Sequence, residues 1–130
     1  MIKDVVKIEG NVTAEEIANI MNECEIGCVI VVQEENPIGI ITERDMIKRV
    51  LLESKDPKTT KAFQIMSAPL LFGHPDMSVQ EAVKVMIERR IKKLPIIAED
   101  QLVGMLTLTD LARSVAYLDD IFSKMENSAK

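Results

Sequence analysis

Shifted against itself by 65 residues, the chain lies over its own second half without a gap, Val5–Val50 over Leu70–Val115. Nine of these 46 pairs are identical: Glu16/Glu81, Met21/Met86, Glu23/Glu88, Ile26/Ile91, Glu34/Glu99, Gly39/Gly104, Thr42/Thr107, Asp45/Asp110 and Val50/Val115. Others keep their character, as Thr13/Ser78 and Val31/Ile96 do. A fixed offset with no insertion marks a duplicated structural unit, which limits the fold more than any single residue can. The 130 residues suffice for one compact domain, or for two very small ones sharing a core. One unit alone buries little surface, so the two are expected to fold as a single object, packed sheet to sheet about a pseudo-two-fold axis.

Each copy reads alike. "VTAEEIANIMNEC" opens with a capping box, Thr13 to Glu16, and places Ile17, Ala18, Met21 and Cys24 on one helical face. "MSVQEAVKVMIER" repeats it with Ser78 to Glu81 and the face Val79, Ala82, Val83, Met86. An apolar run of strand length follows, Cys28–Val32, then a turn at "EENP" and a second strand at Ile38–Ile41. "LPIIAEDQLVGMLT" does the same in copy two, turning at Glu99–Gln101. A second helix ends each copy, "ERDMIKRVLLE" and "LTDLARSVAYLDDIF", and a short extended lead-in precedes each, "DVVKI" and "PLLF". Asp56 and Pro57 stop the first unit, and Thr60–Met66 begins a short helix. The expected class is therefore α/β of the α+β kind: two pseudo-symmetric α-β-β-α repeats, residues 1–58 and 59–126, with a tail at 127–130.

Composition narrows the function classes. The hydrophobic fraction is 47% but aromatics are only 3%, so the core is aliphatic. A net charge of -5 argues against reading nucleic acid through its phosphates, which takes a basic face. No run of about 18 apolar residues is present to span a membrane. Asp4, Lys7 and Glu9 break up any signal-peptide core, so a cytoplasmic protein is expected, and two cysteines, Cys24 and Cys28, suit a reducing compartment.

The repeated sentence "GIITERD", Gly39–Asp45, and "GMLTLTD", Gly104–Asp110, has two readings. In the first, Thr42 and Thr107 cap a helix and Asp45 and Asp110 reach back to the cap amide, which stabilises by roughly 0.5–2 kcal/mol and requires no ligand. In the second, the free amides and positive dipole end of the helix attract a phosphate, Thr adds a hydroxyl donor, and Asp accepts hydrogen bonds from a vicinal diol such as ribose. The glycine then permits a tight turn or close backbone approach.

With these motifs the sequence resembles a pair of CBS domains, the cystathionine-beta-synthase repeat, forming one Bateman module. The resemblance runs from about Val5 to Ala116 and is carried by the two Gly-hydrophobic-hydrophobic-Thr-x-x-Asp motifs, the strands before each, "RRIKKLPII", and the lead-in "AFQIMSAPLLFGHPDMSVQEAVKVM". It implies a non-catalytic regulatory module that binds an adenosine compound, AMP, ADP, ATP or S-adenosylmethionine. No cofactor is required, and a homodimer and a separate effector protein are implied as partners. The resemblance makes Asp45 and Asp110 ribose ligands and Thr42 and Thr107 phosphate-side contacts. Base contacts fall to Val5, Val6 and Lys7 with Gly27, Cys28 and Val29, and to Leu70, Leu71 and Phe72 with Lys93, Leu94 and Pro95.

The copies differ in their cations. Copy two carries Arg89, Arg90, Lys92 and Lys93 before its strand and Arg113 after Asp110, whereas copy one has Cys24, Glu25, Gly27 and Cys28 there, with Arg44 and Lys48 beside Asp45. Phosphate favours local cations, so the Asp110 site is expected to bind better, unless "RRIKK" is only the solvated end of a helix. The cysteines, four apart, read as buried small side chains rather than a zinc site, His74 as a turn residue, and the methionines as core. The sequence holds no Ser-His-Asp set, no phosphate-binding P-loop and no paired acids with a plausible substrate pocket, so no enzyme is expected. The alternative to a sensor is a structural pairing or protein-interaction module with vestigial pockets.

Overall fold

The computed structural model describes residues 5–112. They form mixed α and β structure with a three-stranded sheet and a two-stranded one. The described residues divide into two compact units: residues 5–71 with Glu99–Leu102, and Phe72–Ala98 with residues 103–112. Residues 59–71, placed with the second repeat by sequence, thus pack with the first unit.

In the first unit, β1 (Lys7–Glu9) pairs parallel with β2 (Cys28–Gln33), which pairs antiparallel with β3 (Asn36–Thr42). Between β1 and β2 runs α1 (Ala14–Cys24), so the start is a βαβ crossover with a hairpin appended. Ala14, Ile17 and Met21 of α1 are buried against Ile8, Val29, Val31 and Ile41. Ala18 and Cys24, expected on that face, are exposed instead. Cys24 continues the stripe of positions 14, 17 and 21 but is the last residue of α1, and Ala18 lies at the stripe's edge. Cys28 is buried as expected.

The β2–β3 turn is two residues, Glu34 and Glu35, both left-handed with φ 50° and 68°. That is the primed turn matching the twist of a hairpin, with glutamates where Asn-Gly is usual. β3 starts two residues earlier than Ile38 because so short a turn leaves Asn36 free to pair with Gln33.

The helix after β3 begins as α2 (Glu43–Met46) and continues as a wider π-helical turn, Ile47–Leu51, rather than as regular α-helix. Its bonds run five residues back, from the Leu52 amide to Ile47 and from the Lys55 amide to Val50. The following segment folds back on the first unit: α3 (Ala62–Ile65) buries Ala62 and Ile65 in the same core, its amides at Ala62 and Phe63 bonded to Val12 and Gly10. Ser67 then pairs with Ile40 of β3, with amide-to-carbonyl distances of 2.8 and 3.1 Å in the two directions.

In the second unit, α4 (Val79–Glu88) buries Ala82, Val83 and Met86 against Leu94 and Ile96, while Val79, expected on that face, is 43% exposed at the first turn. β4 (Lys93–Ala98) and β5 (Gln101–Thr107) form the hairpin, turning at Glu99 and Asp100 with φ 51° and 63°. Where β1 stood in copy one, copy two has a single parallel bridge, Gly73 to Ile96, so "PLLF" itself makes no strand. α5 (Leu108–Ala112) follows β5, and the rest of that expected helix lies outside the described residues.

Candidate functional site

The two Thr–Asp motifs sit at the joint from hairpin to helix, and the duplication extends to individual bonds. The Thr42 amide donates to Asp45 Oδ2 at 2.9 Å, and the Thr107 amide to Asp110 Oδ2 at 3.0 Å. Each threonine hydroxyl donates to the same oxygen, 3.1 Å in both copies, and accepts from the aspartate amide, 3.2 Å in both. The next amide is also fixed alike: Glu43 donates to the Gly27 carbonyl at 3.0 Å, Leu108 to the Lys92 carbonyl at 3.2 Å. The capping reading is therefore realised in full. It also removes part of the anion reading, since the amides at Glu43, Asp45, Leu108 and Asp110 are committed within the protein rather than open to a phosphate.

The Asp110 carboxylate is held charged. Burial pushes Asp110 up, but hydrogen bonds to its ionised form, led by the Thr107 amide, bring it below the ordinary carboxylate value. Asp45 is 8% exposed and carries further partners that the sequence reading missed. Ser67 Oγ donates to its Oδ1 at 3.2 Å, and Arg49 Nε lies 3.9 Å from the same oxygen. Arg49 Nη1 also donates to the carbonyls of Ile65, at 3.1 Å, and Met66, at 2.7 Å. Arg49 stands four residues after Asp45, a spacing that offered a signal. Ser67, 22 residues away, offered none.

Gly39 has a packing reason. A Cβ there would lie 2.6 Å from Met66 Sδ and 3.0 Å from the Ser67 carbonyl oxygen, so the missing side chain seats the 66–67 segment on β3. The expectation of ligand approach is not needed to explain it.

The other sequence-derived candidates scatter in their exposure. Val29 and Leu94 are 0% exposed and belong to the two hydrophobic clusters, so only their backbone can face a ligand. Cys28 and Pro95 are buried too. Val5, Val6, Gly27, Leu70 and Lys93 are half-buried; Lys7, Arg44, Leu71, Phe72 and Lys92 are exposed. Phe72 stacks edge-on to His74, ring centroids 5.5 Å apart. Arg90 is a left-handed residue closing α4 (φ 55°), as Glu25 closes α1 (φ 53°), and the amides after them return to Met86 and Met21 at 3.0 Å. Arg89 and Arg90 are thus the exposed end of a helix, and Lys92 and Lys93 remain as candidate cations. Arg113 lies outside the described residues. Among the described residues no three His, Cys, Asp or Glu side chains group to hold a metal ion, and no helix is long and apolar enough to cross a membrane.

The sequence profile of the CBS domain matches the chain twice, over residues 1–52 and 62–117. The chain belongs to the CBS-domain family. It is a tandem CBS pair, as the motifs implied. An uncharacterised protein of Methanopyrus kandleri is 42% identical over 118 residues, covering 89% of this chain and 60% of that protein. The CBS domain-containing protein YhcV of Bacillus subtilis is 33% identical over 112 residues, covering 86% of this chain and 79% of YhcV. Among solved structures, a protein with CBS domains from Burkholderia ambifaria superposes with a TM-score of 0.81 at 30% identity, over 87% of this chain and 83% of that one. Each of the two family matches contains one Thr–Asp joint.

Proposed function

We propose that this CBS pair is a non-catalytic regulatory module of the cytoplasm that binds an adenosine-containing ligand, AMP, ADP, ATP or S-adenosylmethionine, and passes its state to a separate effector protein. The observation that carries the reading is the recurrence of one reciprocally bonded Thr–Asp joint at in-register positions of both repeats. Each joint fixes a charged carboxylate, the acceptor a ribose diol needs. Lys92 and Lys93 supply cations for a phosphate on the Asp110 side, which favours that site over the Asp45 site. The family context adds support: a region of an inosine-5'-monophosphate dehydrogenase of Methanocaldococcus jannaschii, 31% identical over 119 residues, matches this chain across 23% of the enzyme.

Calorimetric titration with the four ligands tests the reading, with native mass spectrometry of the purified protein to show any retained nucleotide. Binding that is lost in Asp110→Ala supports it; a folded protein that binds none of the four rejects it. A second reading has its own observation. Ile47, Leu51 and Leu52 are 51%, 71% and 71% exposed on the helix after the first joint, an apolar face suited to a homodimer. If pairing is the whole function, Ala at Asp45 or Asp110 changes stability and leaves every ligand titration flat.

A further inference from the structure

We propose that the Asp45 carboxylate is a clasp: in the free protein it grips the segment Ile65–Ser67, and a vicinal diol that enters takes over its acceptors and releases that segment. The release half deepens the nucleotide reading and rests on it; the clasp itself does not.

A carboxylate offers about four lone-pair directions. At Asp45, Oδ2 receives the Thr42 amide and the Thr42 hydroxyl, at 2.9 and 3.1 Å. Oδ1 receives Ser67 Oγ at 3.2 Å and faces Arg49 Nε at 3.9 Å. Ser67 Oγ also lies 3.4 Å from Oδ2. Three of the four directions thus carry a protein donor and the fourth faces a guanidinium at ion-pair distance, whereas a diol brings two hydroxyls that each need one. The Thr42 bonds belong to the helix start, three residues away in sequence, and breaking them uncaps it. The Ser67 and Arg49 contacts are the ones that yield. Ser67 can turn its hydroxyl to solvent, and Arg49 keeps its bonds to the Ile65 and Met66 carbonyls.

What yields is a stretch of chain that leads from the first repeat to the second. Without the carboxylate, Ile65–Ser67 still has the Ser67–Ile40 backbone pair and the seat of Met66 against Gly39. It loosens without unfolding, so occupancy at the first-repeat aspartate is transmitted to the connection between repeats. Asp45 is then the acceptor, and Ser67 and Arg49 are positioning residues that a ligand must outcompete.

Amide hydrogen exchange read residue by residue by NMR on the whole chain tests this. The reporter is the Ile40 amide, which donates to the Ser67 carbonyl; the control is the Ile30 amide, which donates to Val6. In the free protein, Ser67→Ala is expected to speed Ile40 about tenfold relative to Ile30, the loss of a bond to a charged acceptor, and Arg49→Met is expected to act in the same direction. An unchanged Ile40-to-Ile30 ratio in both variants overturns the clasp. Adding adenosine or AMP to saturation is expected to speed Ile40 in the wild type and to bind more tightly to Ser67→Ala. Binding that leaves Ile40 as protected as before overturns the release. If neither these compounds nor ADP, ATP or S-adenosylmethionine binds, the nucleotide reading and the release fall together, while the comparison in the free protein still decides the clasp.

Discussion

Gly39→Ala separates the two reasons a glycine can stand in this motif. If the glycine exists to let a ligand approach the backbone, the substitution leaves the free protein as stable as before and weakens binding. If it exists to seat Met66 and Ser67, the free protein itself loses stability. The geometry supports the second. The new methyl would lie 2.6 Å from Met66 Sδ, which can swing, but also 3.0 Å from the Ser67 carbonyl oxygen, which is pinned by its bond from the Ile40 amide at 3.1 Å. Overpacking of this kind costs about 1–3 kcal/mol. Against it stands the entropy that alanine removes from the unfolded chain, about 0.4–1 kcal/mol, available because Gly39 does not have a positive φ. Taken at their midpoints, about 2 and 0.7 kcal/mol, the two leave a loss of roughly 1–2 kcal/mol. With an unfolding entropy of about 2.1 cal/mol/K per residue over 130 residues, Tm should fall by roughly 4–7 °C. Urea denaturation gives the free energy and a thermal melt the Tm. An alanine variant as stable as the wild type, or more so, would refute the packing account, and a loss of affinity alone would return the glycine to the ligand.

Glu35→Gly and Asp100→Gly replace left-handed residues of the hairpin turns, φ 68° and 63°, and each should gain about 1 kcal/mol in urea denaturation. Asp110 is held below its ordinary value, so its contribution is complete above the unfolded-state value, about 3.9, and is lost as the pH falls through the folded one. Asp110→Asn should accordingly be less stable than wild type at neutral pH, with the gap closing in acid; thermal melts across that range check the sign. Cys24 is exposed and Cys28 buried, so a thiol reagent should modify one cysteine at once and the second only on unfolding. A mass spectrum of the partly labelled protein identifies which.

The architecture was legible because its signals are local and come twice. α1 and α4 announced themselves by caps and apolar stripes, the hairpins by apolar runs around short acidic turns, and the duplication fixed their order. Less legible was anything set by distant chain. The Ala18, Cys24 and Val79 placements depended on where the opposing sheet lies, which a helical stripe leaves uncertain by a residue. The π-helical turn at Ile47–Leu51 has no marker in "MIKRVLLE". The return of residues 60–67 onto the first unit was hidden by a sequence that reads as a lead-in to the second repeat, and with it went Ser67, half of the surroundings of Asp45. The Thr–Asp joint was readable as a cap and as a diol acceptor; its repetition in every bond could be seen only in coordinates.

Among the described residues, the four helix starts capped by Ser or Thr argue that the aspartates do more than cap. At Thr13–Glu16 and Ser78–Glu81 the bond runs one way, from the glutamate amide to the hydroxyl, and both glutamates are exposed. These starts support helices of 11 and 10 residues, so a one-way cap is enough here. At Thr42–Asp45 and Thr107–Asp110 the shorter acid closes the box in both directions. Closing it buries part of the carboxylate, and at Asp110 the hydrogen bonds gained outweigh that burial and hold it below its ordinary value. A helix start does not require that arrangement, since the same chain caps α1 and α4 without it. A carboxylate fixed at one end of each hairpin is what a hydroxyl-bearing ligand would need, and removing only the charge tests whether that is its use. Asp45→Asn and Asp110→Asn keep an acceptor oxygen for the cap, so each should lose about 1 kcal/mol of stability or less. Adenosine affinity should fall more steeply, about tenfold per site, as a charged acceptor is replaced by a neutral one. Calorimetry beside urea denaturation reads the two losses separately, and equal losses in both would reduce the aspartates to helix caps.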